Sequence, residues 1–578
     1  MQHWKRNGAC IMLSILTQVL LLQAGDPDWI ARGRAGMVAS DSPEASQIGA
    51  DVLRAGGNAF DAAVATSFAL AVSRPQSTGL GGGGFMLAYV AAEKRFVVLD
   101  FREVAPAGAH WEYYSGMGAQ NPQGPAPSVY GGNAIGVPGQ VAGLDEINRR
   151  FGTKPLRDLI QPSIQLAEAG FTVDQAFLEA RTEAMDALKK WPQLEQPPYP
   201  LSKMLTPGGS APRVGDKLKR PAFAEALKLI AEQGPAAFYD GPIGAAIARA
   251  AMQAGGILTA NDLKKYRVLE RKPLQVKYLP RGAQDAVEFT MMPPPSSGGI
   301  CFTEILQILS ACSVRSDLDP KQYSEHVLIE AMKHAMADRG RWLGDPDFTP
   351  IPVAGLTSRK YAMDRARRIT TKTLPWTEYG TTEPPPNDGG TAHFCVADRQ
   401  GNVVAITETI NGVFGSLVTT VPYEIILNNE MDDFLTARGL SNMFGLTQGE
   451  ANRVGPGKRP LSSMSPTIVM KNGKPLLAVG ASGGPRIITS TLQVALHVLE
   501  GRPLEEAMTA LRIHHQWQPD EVKFDREPPA ELVEKLEACG HQIGAKRTTG
   551  VVQAIEFLDD GTVVGASDPK KGGRPAAE

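Results

Sequence analysis

Residues 59 to 72 read as a helix that is apolar nearly all round, since Ala62, Ala63, Val64, Phe68, Leu70 and Val72 leave it no polar face. A helix of that kind must be covered on every side, so it belongs inside a layered core. Asn58 is placed to cap its start and Pro75 to stop the chain after it. A shorter helix precedes it, signalled by Ser42-Pro43, by the rhythm Ala45, Ile48 and Val52, and by the stop at Gly56-Gly57. The chain can supply such a core, with 578 residues, 43% apolar and 21% charged. Its 59 Lys and Arg nearly cancel 61 Asp and Glu, for a net charge of -2, so no basic field points to nucleic acid or to an anionic membrane. A small molecule or a peptide is the better-matched partner.

The first segment reads as targeting. Lys5 and Arg6 precede an apolar run from residue 9 to 22 that is short for a membrane span. Residues 1–25 are therefore expected to be a signal peptide, and the mature chain to be periplasmic or secreted, with no stable membrane span. Leu22 stands where a cleavage site prefers a small residue, which leaves an uncleaved anchor as the alternative. Beyond Cys10, the cysteines Cys301, Cys312, Cys395 and Cys539 lack metal-ligand spacing. They read as buried thiols, with a disulfide between any two left open.

After residue 84 the pattern turns strand-like over 87–90 and 96–101. From 139 to 368 helical periods dominate, as in 158–169, 221–231, 243–254 and 323–338. The run Pro293-Pro294-Pro295-Ser296-Ser297-Gly298-Gly299 interrupts them as a rigid turn into a helix starting near Ile300. Residues 372–390 are rich in Thr, Pro and Gly and end in Asp388-Gly389-Gly390, a composition suited to a linker or processing site. Thereafter three hairpins are predicted: 391–397 with 403–410, 467–471 with 475–480 around Asn472-Gly473, and 551–558 with 562–566 around Asp560-Gly561. Helices are expected at 486–499 and 503–512, so this portion is α+β.

Several chemistries are weakly supported. His514-His515, His326 and His334 lack zincin spacing and read as core or surface histidines. The glycines at 79 and 81–84 lack both the dinucleotide and the P-loop spacing. Gly390-Thr391 is different. A threonine that heads a chain can use its own α-amine, of pKa about 7.7 to 8, as the base for its hydroxyl. That requires a strand presenting Thr391, pliable residues ahead of it and backbone donors nearby, and Ser482-Gly483-Gly484-Pro485 at a strand-to-helix junction offers the donors. Taken alone, the same pattern also fits an ordinary internal Thr after a glycine turn.

Larger blocks decide between these. Asp388-Gly389-Gly390-Thr391-Ala392-His393-Phe394, Asn428-Asn429-Glu430-Met431-Asp432-Asp433-Phe434, Arg459-Pro460-Leu461-Ser462-Ser463-Met464-Ser465-Pro466-Thr467 and Gly483-Gly484 together resemble the γ-glutamyltransferase (glutathione hydrolase) family. Further matches lie at 81–86, 100–103, 293–299, 514–517 and 565–569. The resemblance implies an N-terminal-nucleophile hydrolase, a four-layer αββα sandwich cut by itself after Gly390 into a large subunit (26–390) and a small one (391–578) that stay together as a heterodimer. It implies that Thr391 is the nucleophile of both processing and catalysis, that Thr409 orients it, and that Gly483 and Gly484 form the oxyanion hole. Arg102, Ser462 and Ser463 would hold the α-carboxylate of a γ-glutamyl group, and Asn411, Glu430 and Asp433 its α-ammonium. Residues 437–449, with Phe444, match the family's substrate-covering loop. The implied donors are glutathione or other γ-glutamyl compounds, and the acceptors water, amino acids or peptides, with no cofactor or metal. Two alternatives remain: a glutaryl acylase of the same fold, against which Asp433 speaks, and an exported amino-acid-binding protein without catalysis.

Overall fold

The computed structural model describes residues 26–120, 126–195, 201–280, 282–379, 391–438, 442–446, 448–545 and 550–578. The expected signal peptide, residues 380–390 of the expected 372–390 linker with Gly390, and part of the 437–449 loop lie outside the described residues.

The main strands before the glycine junction are β1 (Ile30–Gly33), β2 (Met37–Ser40), β3 (Gly83–Val90), β4 (Arg95–Phe101), β5 (Leu269–Arg271), β6 (Leu274–Tyr278) and β7 (Val287–Met291). After it come β8 (Ala392–Ala397), β9 (Val403–Thr409), β10 (Thr467–Lys471), β11 (Lys474–Ser482), β12 (Val551–Phe557), β13 (Val563–Ser567) and β14 (Ala576–Ala577). They form two seven-stranded sheets, ordered β1-β13-β12-β11-β10-β7-β6 and β14-β2-β8-β9-β3-β4-β5. Every pairing is antiparallel.

The sheets pack face to face. Along β3, β8 and β9 the side chains of Phe85, Leu87, Cys395 and Ala405 join those of Ile468, Val479 and Val552 from the other sheet. The alternate residues Met86, Phe394, Val396, Val404 and Ile406 point outward into a helical layer. Both faces are covered, which is why β3, β8 and β9 are buried along their whole length. The first helical layer holds α1 (Pro43–Arg54), α2 (Ala59–Ser73), α3 (Leu156–Ala169) and α4 (Pro221–Gln233). On the opposite side lie α5 (Gly298–Cys312), α6 (Pro320–Trp342) and α7 (Arg486–Leu499). The order helix, sheet, sheet, helix is the expected αββα sandwich. All fifteen residues of α2 are buried, and Asn58 with Asp61 forms a capping box at its start.

Two expectations need correction. The 139–368 stretch, where helical periods dominate, also holds β5 and β6, each at a sheet edge, and β7, which lies between β6 and β10. β6 alternates Leu274, Val276 and Tyr278 with Gln275 and Lys277, a period of two over a run too short to stand out among the helical periods. The strand expected over 87–90 also starts earlier, since β3 begins at Gly83 within the glycine run. A Cβ at Gly82 would stand 2.0 Å from the Thr409 carbonyl, and one at Gly84 2.5 Å from that of Thr407. These glycines let two backbones approach closely, a packing role.

Candidate active site

The register of β8 against β9 pairs Ala392 with Glu408, which sets Thr391 opposite Thr409 at the mouth of the sheet. Their hydroxyls are 3.3 Å apart. The Thr409 hydroxyl also accepts the backbone N–H of Asn411 at 2.8 Å. Lys571, absent from the sequence expectations, donates to the Thr391 carbonyl (3.1 Å) and ion-pairs with Asp41 (2.8 Å). A separation of 180 residues hides that contact from any local pattern.

Thr391 opens into a pocket lined by Arg102, Thr409, Asn411, Glu430, Asp433, Ser462, Ser463 and Gly484, with Phe444, Leu446, Met464 and Ile487 as its apolar wall. Among the described residues, every expected site residue except Gly483 lines it. Gly483 is the immediate neighbour of Gly484 between β11 and α7, and both have positive φ, 121° and 57°. Only glycine takes these conformations without strain, and the turn they make precedes a helix N-terminus, where backbone donors are unpaired. Phe444 lies over Gly484, so that a Cβ there would be 2.8 Å from the ring. Asn442 donates to Asp433 at 2.7 Å, and Gln516 donates to the carbonyls of Phe444 and Gly445, which ties the described part of the covering loop down over the pocket.

The prolines and serines at 293–297 have a structural task. The Ser297 N–H and hydroxyl both donate to the Ser462 carbonyl (2.8 and 2.7 Å), and the Ser462 N–H donates to the Pro295 carbonyl (2.8 Å). This turn fixes the Ser462-Ser463 strip at the pocket wall.

The charges are arranged differently from the expected division of labour. Arg102, 1% exposed, ion-pairs with Glu430 and, at 2.6 Å, with Asp433, so the groups assigned to carboxylate and ammonium here hold each other. Glu103 is farther, 4.0 Å. Burial disfavours the guanidinium charge, but Glu430, Asp433 and Glu103 outweigh it and hold its pKa above the ordinary value. Burial pushes Glu103 up to about 8 and Glu430 well above the carboxylate range, with Arg102 opposing in both. Asn411, at φ 69°, turns its amide to the Asn429 carbonyl at 2.9 Å.

The histidines need one amendment. His514 and His515 are buried, as expected of core residues. His326 is not isolated: ligand atoms of His326, Glu330 and His541 lie within 4.8 Å of one another. The group is already satisfied internally. His326 meets His541 and the Thr370 carbonyl at 2.8 Å each, and Glu330 accepts from Thr373 and Tyr379. Lys333, 4.0 Å from Glu330, adds a positive charge that opposes a cation. The four cysteines beyond residue 25 are buried and free.

A family profile described as "Gamma-glutamyltranspeptidase" matches residues 45–578. The chain belongs to the gamma-glutamyltranspeptidase family. It is accordingly an enzyme acting on γ-glutamyl bonds, of the N-terminal-nucleophile hydrolase fold. It is 40% identical over 549 residues to the "Glutathione hydrolase proenzyme" of Escherichia coli (strain K12), covering 93% of this chain and 91% of that one. It is also 36% identical over 555 residues to the "Acylase ACY 1 proenzyme" of Pseudomonas sp. (strain SE83), covering 95% and 94%. Among solved structures, a cephalosporin acylase from Bacillus halodurans superposes with a TM-score of 0.82 at 27% identity, covering 96% of this chain and 98% of that one. No helix among the described residues is long and apolar enough to cross a membrane.

Proposed function

We propose that this family member hydrolyses and transfers the γ-glutamyl group of glutathione and related amides through an ester on Thr391, after cutting its own chain between Gly390 and Thr391. The observation that carries this reading is the Thr391 hydroxyl, 3.3 Å from Thr409 and in one pocket with Arg102, Asp433, Ser463 and Gly484.

In processing, the Thr391 hydroxyl attacks the Gly390 carbonyl, the Gly390–Thr391 C–N bond breaks as the amine takes the proton, and water hydrolyses the resulting ester to leave Gly390 as a carboxylate and Thr391 with a free α-amine. That amine next takes the hydroxyl proton as Thr391 attacks the donor's γ-carbonyl. The C–N bond breaks, the leaving amine departs with the proton, and an ester remains. Water or an acceptor amine then attacks the ester and frees the threonine. Gly483 and Gly484 donate backbone N–H groups to the oxyanion of each tetrahedral intermediate, and Thr409 fixes the hydroxyl's direction.

A zwitterionic donor fits the charge set by exchange. Its carboxylate takes a share of Arg102 together with Ser462 and Ser463, and its ammonium takes Asp433, Glu430 and Asn411, so that the Arg102 pairs loosen without leaving a charge unpaired. A glutaryl group offers no ammonium to replace Arg102 at the acids, which favours γ-glutamyl donors over the acylase alternative. Subunits 26–390 and 391–578 would remain associated, because both sheets contain strands from each side of the cut. Residues 1–25 would direct export to the periplasm or medium.

Intact mass and a denaturing gel after incubation at neutral pH test the proposal. Two fragments meeting at Gly390 and Thr391, with release of γ-glutamyl anilide product, are expected. A single stable, inactive chain would instead favour a binding protein.

A further inference from the structure

Arg339 lies near the end of α6, 1% exposed, and is not among the residues lining the pocket. Its Nε donates to the Ser297 hydroxyl at 3.1 Å and its Nη2 to the Ser463 hydroxyl at 3.4 Å. Nη1 is buried with no hydrogen-bond partner, and among the described residues Arg339 makes no ion pair. Among the other large buried arginines, Arg102 has Glu430 and Asp433 and Arg512 has Asp568 as ion-pair partners, while Arg220 donates to the carbonyls of Ala71 and Glu424. Cys301, which faces Arg339 from α5, is a thiol whose pKa burial raises, so it supplies no anion.

Asp433, a carboxylate whose charge reaches Arg339, is already paired with Arg102, and a buried guanidinium so weakly compensated is costly. Such a group is tolerated where an anion arrives in the working state. Ser463 shows where that anion would sit. Its hydroxyl oxygen accepts from Arg339, so its own hydrogen is free to point the other way, into the pocket with Thr391 and Arg102. Arg102 meanwhile is divided between two carboxylates.

We propose that Arg339 is a positioning and specificity-determining residue for the acyl donor's carboxylate, acting through Ser463 and, by way of Ser297, through the turn that holds the Ser462-Ser463 strip. This rests on the γ-glutamyl reading of the pocket. Arg339 orients the Ser463 hydroxyl as a donor and adds a positive charge behind it, which supplements the charge that Arg102 shares with its acids. The carboxylate is held in ground state and transition state alike, so the contribution belongs mainly to KM.

The test is steady-state hydrolysis of γ-glutamyl anilide by Arg339→Met, Arg339→Lys, Ser463→Ala and the two double variants, with processing followed on gels and folding by thermal melting. Arg339→Met is expected to raise KM roughly ten- to hundredfold with kcat changed less than about threefold. Arg339→Lys, which keeps the charge but cannot bridge both serines, should recover part of the loss. In the Ser463→Ala background either substitution should add little, because the partner is gone. An unchanged KM, a fall in kcat that follows the melting temperature, or losses that simply add would overturn the proposal. If Arg339→Met fails to mature, Arg339→Lys decides on the same criteria. A glutaryl anilide carries the same carboxylate without the ammonium, so the comparison is read on whichever donor the wild type turns over. Wild-type turnover of the glutaryl compound alone would sink the γ-glutamyl reading and leave the Arg339 result to be judged separately.

Discussion

Arg102 and Asp433 form an ion pair of 2.6 Å between the large and small portions of the chain, inside the pocket that Thr391 opens into. Donor binding must therefore rearrange an existing pair. Asp433→Asn keeps the shape but removes the charge that an ammonium would meet, and is expected to raise KM for γ-glutamyl anilide about 10²-fold, on the order of 2–3 kcal/mol. Turnover of glutaryl anilide should fall far less. Parallel losses on both donors would mean that Asp433 supports the pocket without selecting the ammonium.

Thr391→Ala should yield one uncut, inactive chain on a denaturing gel. Thr391→Ser keeps a hydroxyl beside Thr409 and should still mature and turn over donor. Two fragments from the alanine variant would remove Thr391 from the processing step.

Gly484 has φ 57° and the Phe444 ring close above it. Gly484→Ala combines backbone strain with a 2.8 Å contact and displaces an N–H assigned to the oxyanion. A fall in kcat of about 10²- to 10³-fold is expected, the size seen when one oxyanion donor is lost. A kcat within threefold of wild type would point to donors elsewhere.

Glu408 sits on β9 beside Thr409, and burial pushes its carboxyl up to about 7 despite hydrogen bonds from Ser67, Gln140 and Thr78. The ordinary value is 4.5, so from pH 4.5 to 7 the folded state holds a proton that the unfolded state has lost. This contribution to stability is present in full below about pH 4.5 and is lost as pH rises through 7. In the uncut Thr391→Ala background, melting temperatures between pH 5 and 8 should show a weaker pH dependence after Glu408→Gln. Asp432 and Glu556, also pushed up by burial to about 7, and Glu103 and Glu430 in the pocket would supply the slope that remains. An unaltered slope would assign the titration to buried carboxyls other than Glu408.

What the sequence determined follows from short-range rules. The apolar girth of α2, the caps at Ser42 and Asn58, and the turns at Asn472-Gly473 and Asp560-Gly561 depend on residues a few positions apart, and these elements stand where expected. The hairpin that brings Thr391 to Thr409 was legible from its strand and turn signals, while the role of Thr409 came from the family resemblance. The motif blocks marked the pocket's other residues, but only the tertiary structure decided how they meet. The union of Arg102 with Glu430 and Asp433 spans more than 300 residues, and that of Arg339 with Ser463 spans 124. The same holds for Lys571 at Thr391 and for His541 joining His326 and Glu330. Such contacts follow from which face of each buried strand or helix turns toward which neighbour. That choice is made by packing the whole sandwich, and no local periodicity encodes it.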